Sequence, residues 1–308
     1  MIAEQSPVEA AAMQGVPGRP TVDSATGEAI RVFEGPDGRR LAYADTGGSG
    51  RPVLCLAGLT RNMRDFAPLH DHLAPGTRVI RLDSRGRGAS ERAADPNHEY
   101  AIPVETGDVL ALIAHLGLER LRIVGTSRGG ILGMAVAAGR PGLVEGLVLN
   151  DVGAVIEMRG LLRIFATLGR PPRGETFEDA AAELARQNAR EFPDVPPARW
   201  LQHAHALYDD ADGRPVLSYD PKLRTATAAA LDMEAATITL WPLFEGLKAI
   251  PVLTLRGQFS DILSQSTLAE MAAWHPDFEG VEIPGRGHTP FLDEPAALEA
   301  IDRFLERT

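Results

Sequence analysis

One cysteine, Cys55, stands in a chain of 308 residues. No disulfide can close within such a chain, and the solitary thiol in the apolar run PVLCLAG reads as a small core hydrophobe. Lysine is nearly as scarce. Only Lys222 and Lys248 stand beside the arginines, a bias that reads as coding preference rather than function. Positive charge in excess is also lacking. The formal net charge of −11 argues against nucleic acid or an anionic membrane as partner. The longest helical apolar stretch, Ile131 to Ala138, is far too short to span a bilayer. The opening MIAEQSPVEAAAMQG has neither early positive charge nor an apolar block, so it does not resemble a secretion signal. A soluble, cytoplasmic protein is expected. No Gly-x-Gly-x-x-Gly opens a helix, and neither a Walker loop nor His-Glu-x-x-His is present. No cofactor and no metal is expected.

What is there begins with residues 1–29, rich in Ala, Gly, Pro and small polar residues without periodicity, which read as a mobile extension. IRVFEGPDGRRLAYADTG follows, two alternating segments around Gly-Pro-Asp-Gly, and predicts a β-hairpin. Then PVLCLAG, TRVIRLD, LRIVG, EGLVLND and PVLTLRG recur as short apolar runs suited to strands buried on both faces. Helical stretches such as VETGDVLALIAHLG lie between them. Strands alternating with helices predict an α/β fold, a mostly parallel, doubly wound sheet covered on both faces. Residues 152–247 break this rhythm. They show no strand pattern and read as helices broken by RPPRG, FPDVPPARW and YDDADGRP, too long for a crossover. The expected organisation is a core of residues 30–151 and 248–308 with a helical cap inserted at 152–247.

Gly125-Thr126-Ser127-Arg128-Gly129 lies between the strand LRIVG and an apolar helix. That context predicts a sharp turn with the Ser127 hydroxyl exposed at its tip. A serine hydroxyl is a poor nucleophile near neutral pH, so a base must take its proton and an acid must orient the base. His288, in the Gly-rich loop of IPGRGHTPFLDEP, is the base candidate. His70 with His72, and His203 with His205, sit two apart in helical stretches, so each pair faces in different directions. Two carboxylates compete for the role of acid. Asp261 follows the strand PVLTLRG and Asp151 ends EGLVLND. The chain order Ser127, Asp261, His288 matches that of a nucleophile-elbow enzyme, and Asp261 is the expected acid with Asp151 as the alternative.

These motifs resemble those of the α/β-hydrolase family, in its cap-bearing form, over about Ile30 to Thr308. The resemblance implies Ser127 as nucleophile, Asp261 as acid and His288 as base. Some branches of the family place the acid after the sixth strand, which keeps Asp151 in play. RLDSRGRGAS, Asp83 to Ser90, resembles the family's Asp-x-x-Gly-x-Gly-x-Ser segment, which is structural there. The loop after the third strand usually reads His-Gly but is Ala57-Gly58-Leu59 here. An oxyanion hole is built from backbone N–H groups, so the absent imidazole need not matter. By resemblance its donors are the amides of Leu59 and Arg128.

The expected activity is hydrolysis of a small-molecule carboxylic ester or lactone through an acyl-enzyme. C–C cleavage of a diketone, cofactor-free perhydrolysis or acyl transfer could run on the same triad, and a small-molecule receptor with a residual site is the alternative from another class. Arg61, Arg64 and Arg128 cluster near the site in sequence. Arg61 borders the expected pocket mouth and is the candidate contact for a substrate carboxylate, whereas the Arg128 side chain is expected to point away.

Overall fold

The computed structural model describes residue 16, residues 18–230 and residues 235–308. The Gly-Pro-Asp-Gly turn joins β1 (Arg31–Glu34) to β2 (Arg40–Asp45), paired antiparallel. The apolar runs that follow are β3 (Pro52–Leu56), β4 (Arg78–Leu82), β5 (Leu121–Thr126) and β6 (Val144–Asn150). Between them lie α1 (Ala67–Leu73), the short α2 (Pro96–Glu99), α3 (Ile102–His115) and α4 (Arg128–Gly139). The insertion holds β7 (Val155–Glu157), α5 (Met158–Thr167), α6 (Phe177–Asn188), α7 (Pro197–Leu207), β8 (Tyr208–Ala211), β9 (Arg214–Leu217), α8 (Leu223–Ala230), β10 (Thr237–Thr239) and α9 (Trp241–Glu245). The chain then returns to the core through β11 (Val252–Gly257), α10 (Gln265–Trp274), β12 (Phe278–Ile283) and α11 (Pro295–Arg307).

The main sheet is eight-stranded in the order β1-β2-β4-β3-β5-β6-β11-β12. From β4 to β12 every neighbouring pair is parallel, with the β1–β2 hairpin added antiparallel at one edge. Successive strand residues feed opposite faces. Leu54 and Leu56 join the layer built by α3 and α4, with Leu112 and Leu132, whereas Val53 and Cys55 join Phe66, Leu69 and Phe304 on the other side. Two apolar layers explain why these strands read as unbroken apolar runs. Cys55 is fully buried, and burial pushes its thiol up to about 12 although Arg81 works the other way. At neutral pH it is an inert core side chain.

The insertion is mainly helical, but it also carries short strands that the sequence does not announce: β7 pairs with β10 and β8 with β9. Residues 18–29 are not a loose extension. Val22 bridges Ala29, and the intervening loop sends Asp23 and Glu28 onto the guanidinium of Arg81, which has no exposed side chain. A buried arginine needs counter-charge, and in this fold the arm supplies it. The first part of the expected extension, residues 1–15 and 17, lies outside the described residues.

Candidate active site

Strand order reverses between β3 and β5, so the loops leaving their carboxyl ends sit side by side at the switch point where sheets of this type open a crevice. Ser127 leaves β5 there with φ 51° and ψ −115°, in the region that side chains avoid. The flanking glycines follow from packing. A Cβ on Gly125 would stand 2.5 Å from the Gly130 Cα, and one on Gly129 would overlap the Leu56 carbonyl at the end of β3. The Ser127 amide donates to the Asn150 carbonyl at 2.9 Å, tying the turn to β6.

His288 Nε2 lies 3.0 Å from Ser127 Oγ and its Nδ1 lies 2.7 Å from Asp151 Oδ2. The carboxylate can only accept, so Nδ1 carries the proton and Nε2 is left to accept from the serine hydroxyl. Asp151 is fully buried. Its Oδ1 accepts from the Gly257 amide at 2.8 Å, and Oδ2 accepts a second bond from the Ser260 hydroxyl at 2.7 Å. Three donors surround the carboxylate.

A cavity of about 380 Å³ opens over Ser127 and His288. Leu59, Thr60 and Arg61 form its core side, and the insertion contributes Arg163, Leu184, Trp200 and His203. A second hollow of about 200 Å³ runs on from it, sharing Thr60, Ile164 and Leu184, with Arg170, Arg173, Tyr208 and Tyr219 further along. The His203 imidazole is buried, and burial first, then Arg61 and Arg199, hold its pKa well below 6.5. Among the described residues, no set of three or more His, Cys, Asp or Glu side chains is placed to hold a metal, and no helix is long and apolar enough to cross a membrane.

A sequence profile for the alpha/beta hydrolase fold matches residues 51–295. The chain belongs to that family. It is 37% identical over 276 residues to a 3-hydroxybutyrate-oligomer hydrolase of Cupriavidus necator, covering 86% of this chain and 92% of the relative. It is 30% identical over 264 residues to a 2-(acetamidomethylene)succinate hydrolase of Mesorhizobium japonicum, covering 84% and 89%. The crystal structure of an alpha/beta hydrolase from Novosphingobium aromaticivorans superposes with a TM-score of 0.84 at 40% identity, over 92% of this chain and 99% of that one. These relatives are hydrolases.

Within this alpha/beta hydrolase the two candidate acids sit in different places. Asp261 does not reach His288. Its carboxylate is gripped by the fork of Arg163 on α5, Nε to Oδ2 at 2.6 Å and Nη2 to Oδ1 at 2.9 Å. Burial works to raise its pKa, but the Arg163 charge, with His288 nearby, outweighs burial and holds it below the ordinary range. The physical reason is the turn after β11, where neighbouring side chains face different ways: Ser260 faces the imidazole's carboxylate and Asp261 faces the insertion. Asp151, the alternative, is the residue against His288. Ser260 was not singled out by the sequence, and a hydroxyl before an aspartate in a turn carries no signal of that contact.

Leu59 lines the cavity together with Ser127, and Arg128 follows Ser127 in the chain; among the described residues neither amide has a loop or turn carbonyl as acceptor. The Arg128 side chain turns away, as expected, onto Glu105 at 2.8 Å. Arg64 does not line the cavity over Ser127; it binds Asp209 at 2.8 Å and the Ala206 and Tyr208 carbonyls, pinning the insertion to the core. Arg61 lines the cavity but gives Nη1 to Asp65 at 2.7 Å. The Asp-x-x-Gly-x-Gly-x-Ser segment is structural at Asp83, which accepts from the Met63 amide at 2.6 Å and the Ala89 amide at 2.8 Å.

Proposed function

We propose that the protein is a serine hydrolase that cleaves a small-molecule carboxylic ester through an acyl-enzyme on Ser127. The observation that carries this reading is the unbroken hydrogen-bonded chain from Ser127 Oγ through His288 to Asp151. In the forward step Oγ adds to the ester carbonyl while Nε2 takes the hydroxyl proton, and Asp151 steadies the imidazolium. The Leu59 and Arg128 amides receive the negative oxygen. Collapse of the adduct breaks the C–O bond, and the proton on Nε2 leaves with the alcohol. Water then repeats the sequence on the acyl-serine, returning acid and free enzyme.

The substrate is proposed to carry a carboxylate, met by Arg61, whose Nε and Nη2 are not engaged by Asp65. The relatives' names point the same way, since 3-hydroxybutyrate and succinate are both carboxylates. The continuation of the cavity towards Tyr208 and Tyr219 supports a substrate longer than a single short acyl group.

One experiment tests both parts. Wild type, Ser127→Ala and Arg61→Ala are assayed on a neutral activated ester and on its carboxylate-bearing analogue, with intact mass recorded after an organophosphate. Expected are one adduct on Ser127, no turnover by Ser127→Ala, and a loss in Arg61→Ala confined to the anion and shrinking with salt. Full turnover by Ser127→Ala overturns the acyl-enzyme; equal losses on both esters remove Arg61 as an anion contact.

A further inference from the structure

The segment RLDSRGRGAS contains a second arginine that the structural role of Asp83 does not explain. Arg87 is buried, and its guanidinium reaches the loop after β3. Its Nε donates to the Leu59 carbonyl at 2.9 Å, and its Nη1 donates to Glu105 Oε1 at 2.5 Å and to the Arg85 carbonyl at 2.7 Å. The other oxygen of Glu105 accepts from Arg128 Nε at 2.8 Å, and Arg128 Nη2 donates to the Tyr100 carbonyl at 2.5 Å. One carboxylate on α3 is thus tied to both residues expected to supply the oxyanion-hole amides, to Arg128 directly and to Leu59 through Arg87.

We propose that Glu105 is a positioning residue that sets the separation of the two oxyanion-hole amides, with Arg87 and Arg128 as its arms. The proposal rests on the reading of Ser127 as the nucleophile. The Leu59 carbonyl belongs to the peptide unit directly after the Leu59 amide, so holding it limits rotation about Leu59. Anchoring the Arg128 side chain at two points fixes the Cα next to the Arg128 amide. The two amides belong to loops far apart in sequence, one after β3 and one after β5, and no turn chemistry alone can set the distance between them. Donors must lie within about 2.7–3.1 Å of the developing oxyanion to be effective, which leaves little tolerance for either loop to drift. Burial works to raise the Glu105 carboxyl, but Arg128 and Arg87 outweigh it and keep the group ionised at neutral pH. Both arms therefore remain charge-assisted hydrogen bonds, shorter and stiffer than neutral ones.

The test uses the full chain and compares wild type with Glu105→Gln and Arg128→Met. Arg128 is partly exposed, so the second variant keeps the test alive if the buried first one fails to fold. Active sites are counted by organophosphate adducts carried to completion, and rates are expressed per labelled site. A trifluoromethyl ketone, which forms an oxyanion on serine, reports the hole separately from substrate binding. We expect kcat per site to fall by about 10- to 100-fold in Glu105→Gln, a fraction of the loss for removing a donor outright. A smaller fall is expected in Arg128→Met. KM should stay within about twofold, ketone affinity should fall in step with kcat, and the midpoint of the pH–rate profile should not move. A purely structural role would lower the number of labelled sites and leave the rate per site intact. Unchanged kcat and ketone affinity per site in Arg128→Met overturn the proposal, as does a rate loss accompanied by a shifted pH profile, which would place the effect on the imidazole. Failure of the underlying nucleophile reading shows itself earlier, as wild-type protein that takes no label and turns over no ester.

Discussion

Ser127 and Asp151 both hold their backbones at positive φ, 51° and 56°, a strained conformation that costs a non-glycine residue about 1–3 kcal/mol. Strain at two members of one hydrogen-bonded chain is strain the surrounding sheet must overcome, and two neighbouring strands do so. The Asn150 carbonyl of β6 takes the Ser127 amide, and the Leu255 carbonyl of β11 takes the Asp151 amide at 2.8 Å. The two candidate acids therefore have different fates under substitution. Asp151→Asn leaves the imidazole without the acceptor that selects its tautomer, and turnover should fall by about 10³- to 10⁴-fold, the scale of the corresponding loss in serine proteases. Asp261→Asn weakens a grip on Arg163 and should cost only a few-fold. Steady-state rates on one activated ester decide between them, and a crippled Asp261→Asn beside a nearly normal Asp151→Asn would reverse the assignment.

At the scale of elements, what was legible in the sequence is what local chemistry dictates. Strands buried on both faces must be apolar throughout, and a nucleophile at a strained turn needs glycines on either side. The core sheet and the turn that carries Ser127 could accordingly be read from pattern. Which carboxylate meets His288 could not, because it depends on which way consecutive residues of one turn point. The strands of the insertion were invisible for a related reason: YDDA, RPVL and TIT are too short and too mixed to alternate. The same insertion carries a buried titratable group, His203 on α7, with Arg61 and Arg199 facing it. Because its folded pKa is depressed, the unfolded chain binds a proton below about pH 6.5 that the folded chain refuses, so acid favours unfolding. The contribution is fully present above pH 6.5 and is lost as the pH falls towards the depressed value, by about 1.4 kcal/mol per unit. His203→Leu should therefore flatten the decline in thermal stability between pH 7 and pH 5. Parallel declines in the two proteins, followed by thermal unfolding across that range, would contradict this.

Across the whole molecule, the arm at residues 18–29 is the least expected finding, since an ion pair with a distant strand leaves no local pattern to read. Arg81 has no exposed side chain and depends on Asp23 and Glu28 from the arm. Asp23→Ala should lower stability by about 3 kcal/mol, the low end for breaking a buried pair because Glu28 remains. Thermal unfolding of the full chain measures it, and a change under about 0.5 kcal/mol would mean that water or the remaining partners satisfy Arg81. Asp151 is the first residue beyond β6, and β7 of the insertion begins only at Val155. The insertion and the carboxylate that meets His288 thus share one root, so a change of chain length at that junction would move the imidazole's partner along with the roof of the cavity.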